Sequence, residues 1–142
     1  MKLAVVADVV RGKRVVVVDD SIIRGTTSRR RVMALREAGA KEIHLRISCP
    51  PTINPCFFGI DFASKDELVA AMHSHDEVCA FTGADSLGYL SIDGLLSPFP
   101  NAPDYCTACF SGNYPVDITR MLGKNALENT NMLLNLDSKG NH

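Results

Sequence analysis

The chain has 142 residues, 46% hydrophobic and 22% charged, with a formal net charge of −1. That is enough for one domain with a real core and too little for two. The near-neutral balance gives no reason to expect a nucleic-acid partner held by bulk electrostatics. No apolar run reaches the roughly 18 residues that a membrane helix needs. The stretch 3–10 is interrupted by Asp8 and lacks a small-residue cleavage site, so it does not read as a signal peptide, and a cytoplasmic location is expected.

The run Val15-Val16-Val17-Val18, closed by Asp19-Asp20, predicts a strand apolar at every position. Such a strand is covered on both faces, as in a parallel sheet. Ser21 to Thr27 reads as a loop, and a helix follows from about Thr27, with Val32, Met33, Leu35 and Ala38 in register and Gly39 placed to end it. Alternation over residues 43–47 predicts a second strand, which completes a right-handed βαβ unit. The basic trio Arg29-Arg30-Arg31 is either a solvated first helical turn or a phosphate-steering patch.

Pro50, Pro51 and Pro55 break regular structure, and Ser64 with Glu67 three residues on predicts a helix reaching about His75. A third strand is expected over residues 87–90, a short helix over 92–96 and a proline-rich loop over 97–103. A marginal helix is possible over 117–136, before a polar tail expected to lack order. His44, His73, His75 and His142 read as surface residues.

The chemistry is concentrated in VVVVDDSIIRGTT, residues 15–27. A buried strand delivers two carboxylates to the C-terminal edge of a sheet, where open α/β folds bind ligands. The next loop, with the hydroxyls of Ser21, Thr26 and Thr27, leads straight into a helix N-terminus, which suits a phosphate. Gly25 lets the backbone approach closely. Carboxylates repel a phosphate and suit sugar hydroxyls and Mg²⁺. The implied ligand has a phosphate at one end and a vicinal diol at the other, and ribose 5-phosphate fits. The bland alternative is a strand–turn–helix corner in which Asp20 and Ser21 only cap the helix.

Five cysteines, Cys49, Cys56, Cys79, Cys106 and Cys109, need a reading other than disulfides in the cytosol. The Cys106-Thr107-Ala108-Cys109 spacing lets both sulfurs reach one metal, and a redox dithiol, half a zinc site or two packed thiols compete with that reading.

Residues 15–27 resemble the phosphoribosyl pyrophosphate signature of type I phosphoribosyltransferases. DDSIIRGTTSRR with AGAKEIHLRIS is similar to glutamine phosphoribosylpyrophosphate amidotransferases, the amidophosphoribosyltransferases. PPTINPCFFGIDF, GADSLGYLSIDGL and YCTACFSGNYPV extend the resemblance over residues 11–116. It implies a partial type I phosphoribosyltransferase fold over residues 1–116, part of a doubly wound, mainly parallel α/β sheet, followed by a C-terminal tail over 117–142. It also implies that Asp19 and Asp20 bind ribose hydroxyls and Mg²⁺, and that Ser21, Arg24, Gly25, Thr26 and Thr27 hold the 5-phosphate. The family reaction forms phosphoribosylamine and pyrophosphate from phosphoribosyl pyrophosphate and glutamine-derived ammonia, in purine synthesis. No protein nucleophile is required.

The resemblance further implies that Cys56, Cys106 and Cys109 are three of four ligands of a structural [4Fe–4S] cluster, with Cys49 and Cys79 as buried thiols. Three thiolates cannot complete a four-cysteine cluster. The family also carries a glutaminase and earlier transferase strands, and forms homo-oligomers. With a start at Met1-Lys2-Leu3, the chain is expected to be a C-terminal fragment with an unpaired strand edge and an exposed apolar face, inactive alone and prone to associate. A salvage or orotate-type phosphoribosyltransferase, a phosphoribosyl pyrophosphate-binding regulatory module and a small iron–sulfur or zinc protein are the competing readings.

Overall fold

Three parallel strands form the centre of the computed structural model, which describes residues 5–60 and 64–118. In chain order the elements are α1 (Ala7–Val10), β1 (Arg14–Asp19), α2 (Thr26–Glu37), β2 (Glu42–Ile47), a 3₁₀ turn (Lys65–Glu67), α3 (Val69–Met72), α4 (His75–Thr82), β3 (Ser86–Tyr89), α5 (Ile92–Leu96), a second 3₁₀ turn (Ala102–Asp104) and α6 (Ala108–Ser111). The sheet order is β1-β2-β3. Val15 stands beside Ile43, Val17 beside Leu45 and Asp19 beside Ile47, while on the other side of β2 Leu45 stands beside Leu87 and Ile47 beside Tyr89. Laterally paired residues share a face, so these define the covered side.

Helices α2 and α4 pack side by side. The core they close contains Ile22, Val32, Ile43, Leu45, Ile47, Val78 and Leu87, all buried. Burying each such side chain contributes about 1.5–3 kcal/mol relative to exposure. Along α2, Ser28 and Val32 are buried one turn apart. The helix ends where Gly39 takes a φ of 92°, the Ala40 amide reaches the Leu35 carbonyl and the Gly39 amide reaches that of Arg36. Gly39 thus ends this helix in the left-handed conformation expected of it.

The opposite face of the sheet is open among the described residues, the exposed apolar face expected of half a doubly wound sheet, and these elements do not supply the second cover that the valine run of β1 suggests. Val16 and Val18 are 61% and 72% exposed. β1 pairs only with β2, and its burial alternates instead of running continuous. The continuous valine run fits a doubly covered strand, whereas these elements supply cover on one side only. Across the open face, His44 meets Ser86 Oγ at 2.8 Å and Glu42 at 3.2 Å, and Arg14 pairs with Glu42. His44 is therefore a half-buried cross-strand partner rather than a free surface residue.

The predicted helix from Ser64 to His75 is broken. Ser64 caps nothing, the first 3₁₀ turn and α3 are short, and a new helix starts after Ser74. Ser74 carries the working capping box: its hydroxyl accepts from the Glu77 amide, and the Glu77 carboxylate accepts from the Ser74 amide at 2.7 Å. The SxxE pattern occurs twice, ten residues apart, and tertiary packing selected the later copy. The third strand begins one residue earlier than expected, and the helix over Ile92–Leu96 stands as predicted. The helix expected over 117–136 falls almost wholly outside the described residues.

At the N-terminal edge of the sheet, Asp85 joins three elements. Its carboxylate accepts from the Ile43 amide at 2.6 Å and from Arg36 Nη2 at 2.5 Å, and Arg36 Nη1 also reaches the Lys41 carbonyl. The Ile43 amide, and then Arg36, hold the Asp85 carboxyl below its usual range. Its contribution to stability is present above the ordinary carboxylate pKa and is lost as pH falls through the lowered folded value. Acid titration of unfolding should show Asp85→Asn flattening that loss; an unchanged acid limb would contradict the role. Ser74→Ala is expected to cost about 1 kcal/mol in chemical denaturation, and Ser64→Ala less than about half that.

Candidate phosphate and ribose site

β1 and α2 meet at the C-terminal edge of the sheet. There a cavity of about 380 Å³ is lined by the whole run 19–28, with Arg31, Glu67 and Leu68. All seven residues expected to bind substrate (Asp19, Asp20, Ser21, Arg24, Gly25, Thr26 and Thr27) are brought together here. The loop is fixed at three points. Ile22 is buried, the Ile23 carbonyl accepts from the Val69 amide at 2.8 Å, and Arg24 pairs with Glu67 at 2.9 Å.

Gly25 is the N-cap of α2 at φ 74°. A Cβ there would stand 3.0 Å from the Phe81 ring, which Arg29 covers with its guanidinium 5.1 Å from the centroid. No side chain caps α2, so its first-turn amides face the cavity without a side-chain acceptor. Uncapped amides at the positive end of a helix dipole suit an anion.

The two carboxylates are unlike. Asp19 lies on the helix-covered face, half-buried, and is ion-paired with Arg31 of α2. Its backbone carbonyl accepts from the Ser48 amide at 2.9 Å. Asp20 is exposed, and its Oδ1 accepts from the Ser21 amide at 2.8 Å. The basic trio therefore splits: Arg29 stacks on Phe81, and Arg31 turns into the cavity. Sequence reasoning left Arg31 undecided and read Glu67 only as part of a helix cap. Both line the site because tertiary packing, not local pattern, places them.

Among the described residues no three His, Cys, Asp or Glu side chains gather as a metal-holding group. Adjacent hard oxygen donors still fit magnesium, which commonly takes one or two carboxylates and completes its shell with water and ligand phosphates. The cysteines supply only part of a [4Fe–4S] ligand set. The Ile53 and Asn54 amides donate to the Cys109 carbonyl, and the Tyr114 hydroxyl donates to the Pro55 carbonyl, so the segments bearing Cys56 and Cys109 are stitched together. Burial, then the neighbouring Cys56 and Cys106, pushes the Cys109 thiol up, so Cys109 feels both of the other sulfurs. A four-cysteine cluster would need one further donor beyond these three.

Cys49 and Cys79 are half-buried, and burial raises both thiols, Cys49 to about 11. Cys106 is exposed. Alkylation at pH 8 followed by peptide mass mapping should therefore modify Cys106 first and leave Cys49 largely intact until the pH nears its raised pKa. Equal rates at pH 8 would contradict this placement. His73 and His75 are exposed, and His75 Nε2 donates to the Leu87 carbonyl at 3.1 Å.

No protein-family model matches the chain. Amidophosphoribosyltransferases do match: that of Archaeoglobus fulgidus is 53% identical over 121 residues and that of Bacillus subtilis 54% over 123, each covering 83% of this chain and 26% of the relative. That of Methanocaldococcus jannaschii is 51% identical over 126 residues, covering 87% and 26%. The solved B. subtilis glutamine phosphoribosylpyrophosphate amidotransferase complexed with ADP and GMP superposes with a TM-score of 0.76 at 54% identity, over 83% of this chain and 27% of that one. A structure of the allosteric regulatory enzyme of purine biosynthesis gives 0.77, also at 54% identity, over 83% and 26%. The chain thus spans about a quarter of the length of these relatives, and its α/β fold with a parallel sheet is that of the matching part of their structures. By that homology it belongs, as a segment, to the amidophosphoribosyltransferase family.

Proposed function

We propose that the segment supplies the phosphoribosyl-binding part of an amidophosphoribosyltransferase of purine biosynthesis. The reaction is displacement of pyrophosphate from phosphoribosyl pyrophosphate by glutamine-derived ammonia, giving 5-phosphoribosylamine. The observation that carries this reading is the single cavity in which two carboxylates face an uncapped helix N-terminus across one short loop. The relative solved with ADP and GMP, both of which carry a 5′-phosphate on ribose, supports a site of this chemistry.

In this reading the amides of Thr26, Thr27 and Ser28, with the hydroxyls of Ser21, Thr26 and Thr27, hold the 5-phosphate. Gly25 keeps that approach free of a side chain. Asp19 and Asp20 take the ribose hydroxyls. Positive charge develops at the ribose C1 carbon as the leaving group departs, and carboxylates fixed nearby stabilise it. Magnesium, held by Asp20 and the ligand, would neutralise the departing pyrophosphate. No side chain need form a covalent bond to the sugar. Loss of pyrophosphate and attack of ammonia at C1 balance without one.

Cys56, Cys106 and Cys109 belong in this proposal as a partial ligand set, one that needs a fourth donor from elsewhere in a longer enzyme. The glutaminase activity, the oligomeric contacts and a cytoplasmic location likewise belong to the proposal for the longer protein.

Binding is testable on the chain as it stands. Isothermal titration with ribose 5-phosphate and Mg²⁺ should show saturable uptake, and Asp20→Asn should weaken it by about tenfold or more, the loss expected for a hydrogen bond to a charged group. No uptake by a chain that circular dichroism shows to be folded would overturn the proposal.

A further inference from the structure

The Arg31–Asp19 pair lies inside the cavity, and none of the roles assigned above uses the arginine. Arg31 is the sixth residue of α2, next to the buried Val32, and its guanidinium reaches back over the first turn to Asp19 Oδ2. The side chains differ in exposure, 47% for Arg31 and 18% for Asp19. The carboxylate is thus the fixed partner, and the guanidinium is the solvent-facing one. Asp20, one residue on, meets no cation among the described residues. Two adjacent carboxylates therefore carry different electrostatic surroundings within one cavity.

A divalent cation and a guanidinium compete for the same carboxylate oxygens, whereas a sugar hydroxyl donates a hydrogen bond and leaves the ion pair in place. We propose that Arg31 is a positioning residue that reserves Asp19 for ribose hydroxyls and excludes free divalent metal from it. Metal is thereby directed to Asp20 and enters the site with the ligand. This rests on the ribose-phosphate reading of the cavity and assigns that site its order of metal and ligand binding.

The test uses the full chain and two probes. Free Mn²⁺, followed by electron paramagnetic resonance, reports metal binding without ligand, and ribose 5-phosphate without metal reports the diol and phosphate contacts. Arg31→Gln is expected to bind free Mn²⁺ about threefold to tenfold more tightly than the unchanged chain, because a positive charge beside the carboxylate is gone. It should bind ribose 5-phosphate more weakly. Arg31→Lys keeps the charge and should restore weak Mn²⁺ binding. Arg31→Met gives the same Mn²⁺ measurement if the Gln variant does not fold. In the Asp19→Asn background the Mn²⁺ gain should vanish. A merely structural role for Arg31 would weaken both probes together and would not tighten the metal.

Unchanged Mn²⁺ affinity in both Arg31→Gln and Arg31→Met, or a gain that survives Asp19→Asn, would overturn the inference. Failure of the unchanged chain to bind ribose 5-phosphate would instead sink the underlying reading of the site. The Mn²⁺ series alone would then decide whether the ion pair excludes metal.

Discussion

The parallel pairing of β1 with β2 is the constraint on which the site depends. Six residue pairs run from Arg14 beside Glu42 to Asp19 beside Ile47, and both strands end at one level. The Ser48 amide closes that end on the Asp19 carbonyl. Side chains alternate between faces, so a slip of one residue would turn Asp19 to the open side and bring Asp20 over α2. The ion pair with Arg31, the direction of the loop and the mouth of the cavity all presuppose this register.

Charge is distributed across the cavity as a ligand with unlike ends requires. Uncapped amides, Arg24 and Arg31 supply positive potential along the α2 side, and Asp19, Asp20 and Glu67 supply the negative counterpart. Two ion pairs, Arg24–Glu67 and Arg31–Asp19, already balance part of it. Such a site is nearly neutral as a whole and strongly polar within, so it favours orientation over bulk attraction. A formal charge of −1 for the whole chain is in keeping with that.

Much of this was legible in the sequence, because strand, loop and helix N-terminus are contiguous over residues 15–27 and local chemistry determines them. The cavity lining contains every substrate residue read from that run. What escaped was set by distant packing. The valine run looked covered on both faces, since a sequence records the hydrophobicity of a strand and not which neighbours are present to cover it. The twin SxxE patterns at Ser64 and Ser74 are locally equivalent, and only the docking of Val69 beside Ile23 shows why the chain breaks between them. Arg31 was indistinguishable from its basic neighbours until the helix was placed over the strand end.

The carboxylate of Asp85 gives the two ends of the sheet different tolerances. It binds the start of β2 and, through Arg36, the end of α2, at the edge remote from the cavity. Strand spacing is thereby fixed away from the ligand by a side chain, whereas at the cavity edge backbone bonds such as Ser48 to Asp19 close the strand ends. The loops beyond those bonds are free to diverge in residue type and length, as ligand preferences change, without altering how the strands align. The remote edge has no such freedom: a change there shifts the frame from which every cavity residue projects.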